Sequence, residues 1–251
     1  MRKWKDALKL HKQKILDAGY KEEQLLGIFL YGSQNYNMAT EFSDIDTKAI
    51  YVPTLREMCL KNPVSSEIDM GNGEHCEIKD IRVMADMFKK QNVNFIEILF
   101  TEKCWVNATF RDVWNTHFYN NNETIARYDM SKCAYSISGQ ALHTLKQIKF
   151  DDPKVDGKKY SNVIRMLYFI GDFLYHNQNF WDSVRVKEPL RSILLDYKVN
   201  GYMVSMEEID ILTNEFQHIL HSEFEGKNEI IGKLIDNGVV EIIKKGLEIN
   251  G

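Results

Sequence analysis

The chain has 251 residues, 44% apolar and 27% charged, with 4 prolines, which are ordinary values for a globular protein of one large or two small domains. Lys plus Arg number 32 and Asp plus Glu 36, for a formal net charge of −4. That excludes an overall positive field for nucleic acid, so any RNA or DNA contact must come from a local patch.

The N-terminus, MRKWKDALKLHKQK, is basic but never runs into the apolar stretch of a signal peptide. No apolar run approaches the roughly 20 residues of a membrane span, so a soluble cytoplasmic protein with no membrane partner is expected. Trp4, Ala7, Leu8, His11, Ile15 and Leu16 recur at helical spacing over residues 3–18, and Gly19 stops the pattern. Residues 25–31 (LLGIFLY) and 47–52 (TKAIYV) read as strands ended by Gly32 and Pro53, and EHCEIK is a third strand candidate. Between Pro53 and Gly73 the composition predicts a loop with a short helix over 54–60.

Beyond residue 80 strand signals nearly vanish. Helices are predicted near 80–91, 93–100, 107–119, 129–149, 158–177, 188–198, 206–222 and 228–247, with breaks at Asn120 to Asn122, at Asp151 to Gly157 and at Gly201. An α+β fold follows: residues 1–125 as a unit with a small sheet, and 126–251 as an all-helical unit packed on it. The four cysteines, Cys59, Cys76, Cys104 and Cys133, form no CxxC pair, which argues for reduced thiols rather than a disulfide framework or zinc ribbon.

Chemistry concentrates in Leu30 to Val52, LYGSQNYNMATEFSDIDTKAIYV. Gly32 and Ser33 directly follow an apolar strand, ten residues intervene, and Asp44 and Asp46 open the next strand. Strand side chains alternate, so the two carboxylates are expected on one face, with Ile45, Thr47 and Ala49 on the other, toward helices. Like charges held close repel unless a cation lies between them, and hard oxygen ligands suit Mg²⁺. Gly32 lets backbone approach a phosphate, while Ser33 adds a hydroxyl and an N–H donor. Alone, a Gly-Ser turn or a DxD pair is usually a turn or a solvated strand edge; their combination at this spacing points to a phosphate and metal site. Lys48 alternates onto the aspartate face, within reach of carboxylate or phosphate. Tyr31 and Tyr36 border the loop, either as core or as base-stacking rings.

This strand, Gly-Ser, ten-residue spacer and Asp-x-Asp pattern resembles the DNA polymerase beta-like nucleotidyltransferase superfamily. The segment Cys76 to Phe100 (CEIKDIRVMADMFKKQNVNFIEILF) looks like the continuation in a branch of predicted bacterial and phage nucleotidyltransferases, some associated with RNA repair. The branch resemblance covers residues 25–105 and, weakly, the GQALHTLKQIK helix. It implies a small mixed sheet backed by helices, two Mg²⁺ ions (Mn²⁺ as an alternative), an NTP donor and nucleotidyl transfer to an acceptor hydroxyl. The family's third carboxylate, on a later strand between apolar residues, matches Glu77 best, with Glu74 and Asp80 as competitors; Asp80 also fits a helix N-cap. Members with a reduced sheet sometimes use only two acids. Basic side chains for the triphosphate are expected from the helical half, with Lys146 and Arg165 as candidates.

Three functions compete: transfer to RNA such as a tRNA end; transfer to a small molecule or protein side chain; and a catalytically silent nucleotide-binding module. The intact Gly32, Ser33, Asp44 and Asp46 weigh against the last. Lys154, Lys158 and Lys159 and the basic N-terminal helix offer a local patch for RNA. The sequence leaves the acceptor, the preferred NTP and the oligomeric state open.

Overall fold

The computed structural model describes residues 4–71 and 73–250. Residue 3, where the first predicted helix starts, lies outside them, and so does Asn72 in the predicted loop.

The fold is α+β: a five-stranded mixed sheet followed by a helical C-terminal region. Helix α1 (Trp4–Asp17) leads into β1 (Leu25–Leu30) and β2 (Thr47–Tyr51). Then come α2 (Leu55–Leu60), β3 (Ser65–Gly71), β4 (Glu74–Asp80), α3 (Ile81–Lys89), α4 (Val93–Ile96) with a 3₁₀ turn over Glu97–Leu99, and β5 (Cys104–Val106). The remainder is α5 (Ala108–His117), α6 (Asn122–Ala126), α7 (Met130–Leu145), α8 (Pro153–Ile170), α9 (Phe180–Val184), α10 (Leu190–Asn200), α11 (Met206–Leu220) and α12 (Glu229–Asn250).

The strand order is β3-β4-β2-β1-β5. Among the described residues only β2 and β4 run parallel, with Thr47 beside Cys76 and Lys48 beside Glu77. Period-2 alternation sends the strands' side chains to two different cores. Ile45, Ala49, Tyr51, Cys76 and Ile78 cluster with Ala7, Leu8 and Ile15 of α1, which is the helix covering the β2 face expected to point toward helices. Phe29 and Ile50 point the other way, into a larger core that runs from Leu26 to Ile242 and holds residues from both sides of residue 125. Helix α12 returns against α5 and α3.

Three local expectations need correction. The stretch read as loop contains β3, whose Ser-Ser-Glu-Ile-Asp-Met pattern exposes alternate residues and offers only Ile68 and Met70 to the core, so its apolar signal is weak. Strand β5 is three residues long, too short for periodicity to register. Helix α8 begins at Pro153, five residues before the predicted start: the Asp152 side chain caps it by accepting the Lys154 and Val155 amides at 2.9 and 3.2 Å, and the proline sits in the first turn. A proline is tolerated there because its missing N–H has no helical partner anyway. At Gly157 a Cβ would fall 2.5 Å from the Tyr197 carbonyl oxygen, so a glycine is what lets α8 seat against α10.

Candidate active site

The site lies where the ends of β1 and β2 meet α8 and α10. After β1 the chain turns at Gly32, whose φ of +78° favours glycine, into a short 3₁₀ turn carrying Ser33. That turn is held from beneath by Glu97, which is fully buried. Its carboxylate accepts the Gly32 amide at 3.0 Å, the Asn35 side-chain amide at 2.8 Å and the Tyr36 hydroxyl. Burial pushes the Glu97 carboxyl up to about 7, against the pull of those three donors and of Lys48. The Gly32 amide is thus spent inward on Glu97, and Ser33 is the residue of this turn that faces the open cavity.

Asp44 and Asp46 sit just before β2, whose first residue is Thr47. Asp46 is half-buried, and its Oδ1 accepts the His75 amide from β4 at 3.0 Å; Asp44 is exposed. Burial raises the Asp46 pKa, the His75 amide lowers it, and the nearby Asp44 charge raises it again, leaving a net upward shift. The two aspartates and Ser33 line one cavity of about 560 Å³, closed on the far side by Lys154 and Lys158 of α8 and Lys198 of α10. Lys198 also ties down the loop that carries the acids, donating to the Met38 carbonyl at 2.9 Å and to Ser43 Oγ at 3.2 Å. Burial and the neighbouring Lys158 pull the Lys198 ammonium below the usual lysine range, while Asp44 works in the opposite sense.

Other candidates occupy different places. Lys48 is on the Asp46 face but only 2% exposed, packed 3.9 Å from both the Tyr31 and Phe95 rings and paired with Glu77. Glu77 also pairs with Lys79 at 2.9 Å; burial raises its pKa, but the two lysines outweigh that and hold it below the usual glutamate value. It is therefore the counter-ion of a buried lysine and lines no part of the aspartate cavity. Asp80 caps α3, accepting the Arg82 amide at 2.9 Å and binding its guanidinium, and Glu74 lies 3.3 Å from His11 of α1. Tyr36 is core, its hydroxyl on Glu97 and Asn94. Lys146 caps the exposed end of α7 outside the cavities, whereas its neighbours Thr144 and Gln147 line the one next to the aspartates. Arg165 lines that adjoining cavity and not the aspartates' own.

Among the described residues no group of three or more His, Cys, Asp or Glu is arranged to hold a metal. The pair Asp44 and Asp46 still fits Mg²⁺, an ion that takes one or two carboxylates, keeps several waters and otherwise binds substrate phosphates. Their mutual repulsion is what such a cation would relieve. Glu97 and Lys198 are the residues sequence reasoning missed. An acid inside the apolar run NFIEILF signals a buried charge in need of partners; nothing local marks Lys198.

Exchanging Glu77 for Gln leaves Lys48 buried without a full counter-charge, and is expected to cost about 2 kcal/mol of stability. Asp80→Asn keeps the cap and loses only the ionic part of the Arg82 contact, about 1 kcal/mol. Denaturant titration checks the order of the two. If Glu77→Gln proves the milder, the Lys48 pairing is not what holds this edge of the sheet.

No protein-family model matches the chain, and no curated protein matches it.

Proposed function

We propose that this chain is a metal-dependent nucleotidyltransferase that moves an NMP group from an NTP to an acceptor hydroxyl, with RNA as the favoured acceptor. The observation that carries this reading is the single cavity that Asp44 and Asp46 line together with Ser33, Lys154, Lys158 and Lys198. Two carboxylates sharing a cavity with a hydroxyl and three ammonium groups suit a metal-bound polyphosphate. The two-acid arrangement agrees with the resemblance of Gly32-Ser33 and Asp44-x-Asp46 to polymerase beta-like enzymes.

In this mechanism Asp44 and Asp46 would hold Mg²⁺, which would supply Lewis-acid stabilisation of phosphoryl oxygens and lower the pKa of the acceptor hydroxyl. Ser33 orients the β and γ phosphates. Lys158 and Lys198 neutralise the charge that builds on the leaving pyrophosphate as the acceptor hydroxyl gives its proton to water, its oxygen bonds to the α-phosphorus and the bond from the α-phosphorus to the bridging β-phosphate oxygen breaks. Glu97 acts through the turn it supports, keeping Ser33 in register with the acids.

The test is incubation with each α-labelled NTP and Mg²⁺, offering RNA, protein and small-molecule extracts separately. Label in RNA is the expected result. Label in protein or in small molecules redirects the acceptor, and no label in any fraction overturns the enzyme assignment.

A further inference from the structure

The aspartate cavity is the first of three. A second, of about 570 Å³, shares Ser33, Val155, Lys158 and Lys198 with it and adds Lys159 and Arg165; no Asp or Glu lines it. A third, of about 330 Å³, continues from Arg165 and adds Arg185 and Lys187. Cationic groups thus lead away from the carboxylates through adjoining hollows, each within the size range of a small-ligand pocket.

Arg165 is the joint between the second and third hollows, and its bonding is incomplete. It is 5% exposed, and its Nε and Nη2 both donate to one acceptor, Asn162 Oδ1, at 3.1 and 2.8 Å. The guanidinium lies 3.9 Å over the Tyr36 ring. Its Nη1 is buried with no acceptor; the Glu97 carboxylate acts on the guanidinium electrostatically, but no hydrogen bond joins the two among the described residues. A buried guanidinium normally has an anionic partner, because an unpaired buried charge is costly. The unfilled Nη1 leaves a hydrogen-bonding position for an anion reached from the hollows that Arg165 lines.

We infer that the three hollows form one track for the backbone of a single-stranded nucleic acid, with Arg165 gripping a phosphate midway and the strand's end delivered to Asp44 and Asp46. The identity of the strand as acceptor rests on the function proposed above; the track itself does not. A single nucleotide uses the charges beside the aspartates and leaves Arg165, Arg185 and Lys187 without a role, whereas a strand presents a phosphate at every step. Tyr168, one helical turn beyond Arg165 and 54% exposed, lines the third hollow as a surface on which a base can stack. Two acids also line that hollow. Glu188 is held by Arg191 at 3.2 Å and by Ser192, and Asp172 lies 3.7 Å from His176, so both carry partners of their own.

The experiment is fluorescence anisotropy of a labelled single-stranded RNA of about 12 nucleotides, without NTP, over a salt series. Wild-type affinity is expected to fall steeply with salt. Arg165→Met is expected to weaken RNA binding by about tenfold or more while ATP affinity, measured with Mg²⁺ by calorimetry, stays unchanged. Arg185→Ala and Lys187→Ala, both at exposed positions, should each lower the salt slope by about 1, and they carry the test alone if Arg165→Met fails to fold. Salt-independent binding, no binding, or an Arg165→Met protein that loses ATP but keeps RNA would overturn the track. Because no transfer is read, failure of the track leaves the labelling result standing, and failure of labelling leaves the track.

Discussion

Asp46→Asn is expected to cut nucleotidyl transfer at least about a hundredfold while leaving the metal-free protein as stable as the wild type or more so. The two halves of that expectation have one cause. Burial and Asp44 together raise the Asp46 pKa, so the folded protein resists its ionisation, and the charged form at neutral pH weakens the fold. An asparagine removes that charge and can still accept the His75 amide through its own Oδ1. It cannot replace the carboxylate's charge toward Mg²⁺. Asp44→Asn should behave likewise in transfer, with a smaller gain in stability because Asp44 is exposed. Label transfer and thermal denaturation without metal, run side by side, check both halves. Undiminished turnover in either variant removes the carboxylate pair from the mechanism.

The next largest effect is expected at Glu97. Its folded pKa of about 7 exceeds that of an unfolded glutamate, about 4.3, so between those values the folded state holds the proton more tightly. Stability is therefore greatest below the lower value and is lost as pH rises through about 7, by an amount on the order of 3 kcal/mol. Glu97→Gln cannot ionise and should erase that slope. The amide can keep its oxygen on Gly32 and Asn35, but its NH2 turns the Tyr36 contact round, so that Tyr36 accepts there and gives its own proton to Asn94; a neutral oxygen also holds the two amides less firmly than a carboxylate, which loosens the Ser33 turn. Transfer should fall by about tenfold to a hundredfold, the scale of a displaced contact in a two-substrate reaction. Melting curves from about pH 5 to pH 8 separate the cases. Parallel slopes in wild type and variant would mean that Glu97 does not titrate in this range.

The strands that frame the acids were legible because apolar runs ended by Gly32 and Pro53 carry a strong local signal, and the alternation that puts Asp46 and Lys48 on one face follows from geometry alone. What alternation cannot say is how deep a side chain lies. Lys48 shares the right face, yet the Tyr31 and Phe95 rings close over it and Glu77 neutralises it, a result of tertiary packing. Helical phase explains another displacement: α7 ends at Leu145, so Lys146 falls at its cap while Thr144 and Gln147 reach the cavity wall. Pro153 alone signals a break in the sequence, but with Asp152 before it as a cap it starts α8. Lys198 had no such marker, because it becomes part of the cavity only through the seating of α10 on α8 at Gly157.

The loop between Tyr36 and Asp44 is strapped by residues that come much later in the chain. The Val186 amide donates to the Tyr36 carbonyl at 3.0 Å, Arg191 Nε to the Asn37 carbonyl at 2.8 Å, and Lys198 to Met38 and Ser43. During synthesis the acids emerge roughly 150 residues before their straps, and loop closure over that span is slow relative to local helix formation. A nascent chain can build the β1–β2 pair early and still hold no ordered cavity around Asp44 and Asp46 until Lys198 has cleared the ribosome. Any activity of this protein is thus confined to chains finished past that point, and a ribosome stalled before it displays an inert fragment.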